Sequence, residues 1–482
     1  MPARPTDPCT VKEMKNKLIL VLDCGATNIR AVAITEKGEI AGIHSLPNST
    51  QPDPYYKEGL IWDTDEIWRK FSVCTRKVMT MADKADVAAI TVTTFGVNGA
   101  PVNKDGNLLY PVISWQCQRT VPIMQNIRKY IDPGRLYAIT GVGQFCFNTI
   151  NTLIWLKENH SDIVERMYSF LFIPSIFIHK LTGQMVNDFT MAGTSMLTDL
   201  KSRGFSEEIL AAIGIPNRFS RLAEAGTIAG SLTSEAASAL GMIPGIPVVV
   251  TGHDTQFALI GSGAGENEAV LSSGTWEILM TRTHTVKPDR KMFDAGVTSE
   301  LDAVPGIYNT GLQWLASGIL EWIKRNFYSN EEKTIPGKVY ELMINEASKV
   351  EAGACGIKVG TDFHKNDGSI SGLGIHTGRA QIYRAALEAL SERTKQSLEL
   401  LGEAGNFKAD SLIVVGGGSK NRLWNNIRAN TLGIPVKLTR QTETTVLGAS
   451  LFALTATGIY NSVNEALKNI IQNYEYINPE NG

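Results

Sequence analysis

Cysteine is scarce in this chain: six in 482 residues (Cys9, Cys24, Cys74, Cys117, Cys146 and Cys355), scattered and with no C-x-x-C pair. That scarcity excludes a small scaffold held by disulfides and points to a reduced, cytoplasmic protein. Long apolar runs are also missing. The first, Leu18–Leu22, is too short for a signal-peptide core or a membrane span, and residues 1–16 before it are polar and contain proline. Charge of one sign is missing too. With 46 basic and 48 acidic residues the net charge is −2, which supplies no attraction for nucleic acid or an anionic membrane. Two common phosphate motifs are absent as well. The only Gly-Lys pair, Gly337-Lys338, is followed by valine rather than Ser or Thr, and Gly416–Gly418 lacks the G-x-G-x-x-G spacing of a Rossmann site.

What is present is a globular composition, 43% hydrophobic and 20% charged, in a chain longer than the ~250–300 residues at which one core stops growing. The reading is a flexible tail over 1–16, a first domain over 17–250 and a second over 251–482. Leu18–Asp23, Ile29–Ile34 and Ile40–His44 read as three strands joined by short turns, hence an antiparallel meander. Val87–Phe95 reads as a further strand and Val102–Tyr110 as a hairpin turned at Lys104–Asn107. Helical patterns cover Asp65–Thr80, Val121–Ile131 and Thr149–Asn159. Past Val248–Thr251, a helix is expected over Thr255–Ile260 and a hairpin over Ala269–Met280. The layout of that hairpin resembles the opening of the chain, so two halves of similar α/β topology are expected. Leu412–Val415 then enters a Gly-rich turn and a helix, and the last helices are Thr444–Thr457 and Val463–Gln472.

Three small-residue turns follow strands, at 24–28, 272–275 and 416–419. One alone would be a tight turn that needs glycine. Three together, two with threonine, suit backbone N–H groups cradling a polyphosphate. Asp23 at the mouth of the first turn would repel such an anion unless it held Mg²⁺, which takes one or two carboxylates plus substrate phosphates. Its alternative role is to cap the turn. Asp254, after Gly252-His253 at a strand end, is placed either to take a proton from an attacking hydroxyl or to cap the next helix. His253 reads as a structural hydrogen-bonding residue, since no histidine pair has metal-ligand spacing. Trp115 and Arg119 combine an apolar face with a donor fork suited to a polyol, while Asn148, Asn309 and Gln313 are weaker hydroxyl contacts.

The runs Asp23–Asn28, VTTFGVNGAPV (92–102), NDFTMAGTSM (187–196), GHDTQFALIGSGA (252–264), VLSSGTWEILM (270–280) and Gly416–Asn421 resemble the FGGY carbohydrate kinase family over about residues 17–475. The resemblance implies two actin/hexokinase-like (ribonuclease H-like) domains with a catalytic cleft between them. It implies ATP and Mg²⁺ as cofactors and transfer of the γ-phosphoryl group to O1 of a ketose, L-fuculose. A stereoisomer such as L-rhamnulose, or D-xylulose, stands as the rival substrate. A nucleotide-gated binding protein of the actin or chaperone type is the rival function. Carried over residue by residue, Asp254 becomes the base and Asp23 the metal residue. Gly96, Trp115, Arg119, Gly252, His253 and Asn309 fall on the sugar side. Gly25, Ala26, Thr27, Asn28, Arg30, Gly274, Thr275, Gln313, Gly417, Gly418 and Asn421 fall at the nucleotide. Arg30 stands either against developing charge or in an ion pair. Two positions depart from the family pattern: Cys117 where an aspartate is expected, and Thr152 where lysine is usual. The expected partners are small molecules, with no nucleic acid or membrane, and a homo-oligomer is left open.

Overall fold

The computed structural model describes residues 17–439, 443–470 and 473–480. The tail expected over 1–16, with Cys9, lies outside the described residues. So does Gln472, at the end of the helix expected from Val463, which is observed as Val463–Asn469.

Two sheets organise the chain. The first contains β1 (Leu18–Cys24), β2 (Asn28–Thr35), β3 (Ile40–Pro47), β4 (Val87–Thr94), β5 (Ile228–Ser231) and β6 (Pro247–Val249), in the order β5-β6-β4-β1-β2-β3. β1, β2 and β3 form the antiparallel meander read from the sequence, and β4 and β6 extend the sheet parallel to β1. The second sheet contains β7 (Glu268–Ser273), β8 (Trp276–Thr283), β9 (Thr298–Leu301), β10 (Tyr308–Leu315), β11 (Ser411–Val415), β12 (Val436–Thr439) and β13 (Tyr474–Ile477), in the order β9-β10-β8-β7-β11-β12-β13. Here β7, β8 and β10 are the antiparallel set, and β11 and β12 run parallel to β7. The same plan therefore occurs twice, as the two similar hairpins suggest.

All seven residues of β1 are buried, as an unbroken apolar run in a sheet covered on both faces requires. Alternate side chains enter different cores, following the strand period of two. Leu18, Leu20 and Leu22 join the main core of the first half. Ile19 and Val21 join a core shared with the helices Asp254–Gly261 and Thr444–Ala456. The second of these helices packs on the first sheet although it follows most of the second sheet in the chain. The two helices touch at glycines. A Cβ on Gly261 would stand 1.9 Å from the Thr444 carbonyl oxygen, and one on Gly448 1.9 Å from that of Phe257.

Two local expectations are corrected. Val121–Ile131 is not one helix but Val121–Gln125 followed by a 3₁₀ turn, Ile127–Lys129. Asn126 breaks it: its side chain donates to the Pro122 carbonyl at 2.8 Å, giving the backbone an alternative to the helical ladder. The hairpin turned at Lys104–Asn107 is present but shorter than read, held by the antiparallel bridge of Val102 with Leu108 and by the Leu109 N–H on the Pro101 carbonyl at 2.8 Å. The strand Gly99–Val102 pairs along its length with Ser169–Phe172. Among the described residues, no helix is long and apolar enough to cross a membrane, and Cys24, Cys74, Cys117, Cys146 and Cys355 are free thiols.

Candidate active site

Buried threonines fix the end of β6. Thr91 Oγ1 donates to the Val249 carbonyl at 2.9 Å, Thr251 Oγ1 to that of Val92 at 2.6 Å, and Thr93 Oγ1 to that of Gly252 at 3.0 Å. From the loop at 187–196, Thr190 Oγ1 accepts the His253 N–H at 2.9 Å. These bonds hold the Gly252-His253-Asp254 corner from two sides, and the glycine is required there. A Cβ on Gly252 would lie 2.1 Å from Asp188 Oδ1.

Two cavities meet at this corner. One, of about 420 Å³, is lined by Phe95, Gly96, Val97, Trp115, Val142, Phe145 and Phe147, by His253 and Gln256 at the corner itself, and by Thr298, Glu300, Asn309 and Gln313 from β9 and β10. The other, of about 480 Å³, is lined by Ser272, Val415, Gly416, Gly417, Ser419, Lys420, Thr444 and Thr445. Asp254 and Thr255 line both.

Asp254 is the first residue of its helix and not its cap, the alternative role read for it. Its Oδ1 accepts the Thr255 N–H at 2.6 Å and the Thr255 hydroxyl at 3.2 Å, and 27% of the side chain stays exposed. Burial, and after it the charge of Asp23, pushes its carboxyl up to about 7, against the pull of Thr255 and Arg30. A base tuned to that range takes a proton near neutral pH. His253 is pushed down to about 4 by burial, so it is a neutral imidazole. Its Nε2 lies 3.6 Å from Asp254 Oδ1 and its Nδ1 3.8 Å from Glu300 Oε2. Gly96 lets the ring approach, since a Cβ there would stand 2.7 Å from Nε2.

Asp23 is buried, and Arg30 Nε donates to its Oδ2 at 2.9 Å while Nη2 approaches the same oxygen. Burial raises the Asp23 carboxyl despite this pairing. Among the described residues, no cluster of three or more His, Cys, Asp or Glu could hold a metal by itself. Two mutually repelling carboxylates, Asp23 and Asp254, fit the sparser donor set of Mg²⁺, whose remaining ligands are phosphate and water.

The turns differ in what they offer. In the first, the Gly25 N–H donates to the Asn28 carbonyl at 2.9 Å, Thr27 and Asn28 are exposed, and Ala26, expected at the nucleotide, lines the 420 Å³ cavity instead. The second is pinned rather than open. The Thr275 carbonyl accepts the Ala316 N–H at 3.0 Å and that of Gly274 accepts the Ser317 N–H at 3.2 Å. In the third, Gly417 faces the 480 Å³ cavity and Gly418 abuts Ser273. Ser273 Oγ donates to Glu277 Oε1 at 2.7 Å. Glu277 is ion-paired to Arg428, and both side chains are wholly buried. This network ties the second turn to the third.

Residues 18–261 match the N-terminal domain of the FGGY family of carbohydrate kinases, and residues 269–457 match its C-terminal domain. The chain belongs to that family. It is 47% identical to an L-fuculokinase of Escherichia coli K12 over 97% of this chain and 98% of that one, and 43% identical to one of Haemophilus influenzae over 93% and 97%. The fold is that of a xylulose kinase from Rhodospirillum rubrum, with a TM-score of 0.87 and 21% identity over 96% of this chain and 94% of the other. The architecture is thus the two-domain, actin/hexokinase-like one of FGGY kinases.

Within the FGGY frame, the structure gathers Ala26, Gly96, Trp115, His253, Asp254, Asn309 and Gln313 around the 420 Å³ cavity, and Asp254 and Gly417 at the other. Besides Ala26, three expectations are corrected. Arg119 is not in the cavity lining. Its guanidinium is wholly buried against Asp53, with Nη2 to Oδ2 at 2.7 Å, and lies over the rings of Tyr56 and Trp155. Cys117, which departs from the FGGY pattern, accepts the Arg119 Nε–H at 3.1 Å. Asp53 thus supplies the carboxylate that pairs with the arginine, inside the core rather than in the cavity. Asn421 caps the helix Arg422–Leu432 through the Trp424 N–H and donates to the Tyr383 hydroxyl, so both ends of its amide are used. Gln313, expected at the nucleotide, lines the 420 Å³ cavity instead. Sequence reasoning missed Phe145, Gln256 and Glu300. Phe145 stacks on Phe147, and Gln256 is the third residue of the helix that Asp254 begins. Glu300 had no local signal, because nothing in its strand shows that it meets His253 and Gln256.

Proposed function

We propose that this enzyme transfers the γ-phosphoryl group of ATP to O1 of L-fuculose, giving L-fuculose 1-phosphate and ADP. The observation that carries the reading is that Asp254 lines both cavities, so one carboxylate faces both an acceptor and a donor site. The family and the L-fuculokinase relatives support the choice of reaction and sugar. Asp254 accepts the O1 proton as that oxygen bonds to the γ-phosphorus, while the bond from phosphorus to the β,γ-bridging oxygen breaks and ADP leaves. Gly417, with the neighbouring turn backbone, binds along the phosphates, and the neutral His253 holds the sugar beside the base. Asp23 would hold Mg²⁺, directly or through water, and the ion would neutralise phosphate charge. Thr27, Asn28, Gly274 and Thr275 are proposed to approach the phosphates when the halves close and exclude water. The reading includes a cytoplasmic location, where ATP and reduced thiols coexist.

The test is ADP release on L-fuculose, L-rhamnulose, D-xylulose and glycerol. The highest kcat/KM is expected for L-fuculose and negligible turnover for glycerol. ATP hydrolysis independent of every sugar would leave a nucleotide-gated binding protein instead. For the metal, Asp23→Ala should raise the Mg²⁺ needed for half-maximal rate, and an unchanged requirement would leave Asp23 a turn residue.

A further inference from the structure

In the 420 Å³ cavity, four buried polar side-chain atoms have no hydrogen-bond partner: His253 Nδ1, Gln256 Oε1, and both Nδ2 and Oδ1 of Asn309. A buried polar atom left unpaired is destabilising. A group of them along one cavity is therefore a surface waiting for hydroxyl groups. The strands explain the grouping. Glu300 on β9 and Asn309 on β10 are direct cross-strand partners, so both side chains leave the same face of the sheet. Gln256 reaches that face from the helix that starts at Asp254, and its Nε2 donates to Glu300 Oε2 at 3.2 Å.

Glu300 Oε2 accepts the Nε2–H, which leaves Oε1, buried at the cavity wall, as an acceptor without a donor. We propose that Gln256 is a specificity-determining residue whose Oε1 accepts a hydrogen bond from a sugar hydroxyl other than the one phosphorylated, and that Glu300 is the positioning residue that keeps the amide in that orientation. This rests on the kinase reading above and deepens it. A hydroxyl of the right configuration donates to Gln256 Oε1, whereas the epimer points elsewhere and leaves the oxygen unpaired. Most of the first-half lining, such as Phe95, Phe145 and Phe147, is apolar. Gln256, with Asn309 beside it, thus reads the hydroxyls, and the phenylalanines offer a surface for a carbon skeleton with a methyl end.

The test measures kcat and KM on L-fuculose, L-rhamnulose and D-xylulose for the wild-type, Gln256→Leu and Glu300→Gln proteins, with thermal melts to establish folding. Gln256→Leu should raise KM for L-fuculose about 10- to 100-fold with a much smaller change in kcat, and should lower the preference over L-rhamnulose by a similar factor. Glu300→Gln can pair with either end of the Gln256 amide, so it should lower that preference by a smaller factor. If Gln256→Leu does not fold, Gln256→Met keeps the length and carries the same expectation. A sugar preference unchanged in folded variants, or kcat and KM altered alike for all three sugars, overturns the assignment. Wild-type calorimetry separates the two readings. Binding of L-fuculose without turnover sinks the kinase reading alone, and dissociation constants then replace KM in the comparison. No binding of any of the three sugars sinks both.

Discussion

Arg30 Nε lies 2.9 Å from Asp23 Oδ2, and Nη1 of the same guanidinium lies 2.5 Å from Glu443 Oε2. One cation thus joins the first sheet to the residue that precedes the helix Thr444–Ala456. Arg30 also holds down the Asp254 carboxyl. Replacing it with leucine removes a positive charge, so the pKa of Asp254 should rise. The acid limb of kcat/KM should move to higher pH, and a limb that stays put or moves down would show that Arg30 acts only as an ion-pair partner.

In the unsubstituted enzyme, Asp254 must be deprotonated to act as base, and its carboxyl is pushed up to about 7. Activity should therefore be present above that value and fall about tenfold per pH unit below it. A pH profile of kcat/KM, which reports the free enzyme, checks this. A profile flat from pH 5 to 8 would be incompatible with Asp254 as the base.

Asp254→Asn keeps the shape and removes the base. The expected loss is about 10²–10⁴-fold in kcat, with binding of ATP and sugar retained by calorimetry. Near-normal turnover at saturation would reduce Asp254 to a residue of the helix start.

Gly418→Ala places a Cβ 2.0 Å from Ser273 Oγ, so the Gly-rich turn must shift. Displacements of about 1 Å in positioning groups cost up to ~10²-fold. The loss should appear in kcat/KM for ATP, while the sugar dissociation constant without nucleotide should hold. An equal loss for both would place the turn outside the nucleotide site.

Glu277→Ala strands the buried Arg428 guanidinium, since both side chains are wholly buried. Breaking such a pair from one side costs about 3–5 kcal/mol. The urea midpoint should fall accordingly, and Glu277→Gln with Arg428→Met should recover much of the loss. A single variant as stable as the wild type would show that water reaches the arginine.

Much of the fold was legible because its signals are local. The apolar run Leu18–Leu22, the short turns after it and the matching hairpin at Ala269–Met280 predict paired antiparallel strands in two similar halves, and strand registers follow from such periodicity. Asp254, His253, Gly96 and Asn309 were placed at the sugar side through the family resemblance, and the structure sets all four around one cavity. Arg119 was misread for a definite reason. The residue types around it suit a polyol as well as a brace, and its partner Asp53 is 66 positions earlier in the chain.

What the sequence by itself determined is therefore the content of each strand and turn, the two-half plan and the carboxylates able to do chemistry, all of which depend on neighbours a few positions away. Tertiary structure alone decided which of those groups meet. Residues 256, 300 and 309 share a cavity because β9 pairs with β10 and a helix from the other side of the junction crosses them. Asp254 titrates near neutrality because burial and Asp23, more than 200 residues away in sequence, act on it together. Burial and through-space charge depend on distances in the folded chain, and no local pattern encodes them.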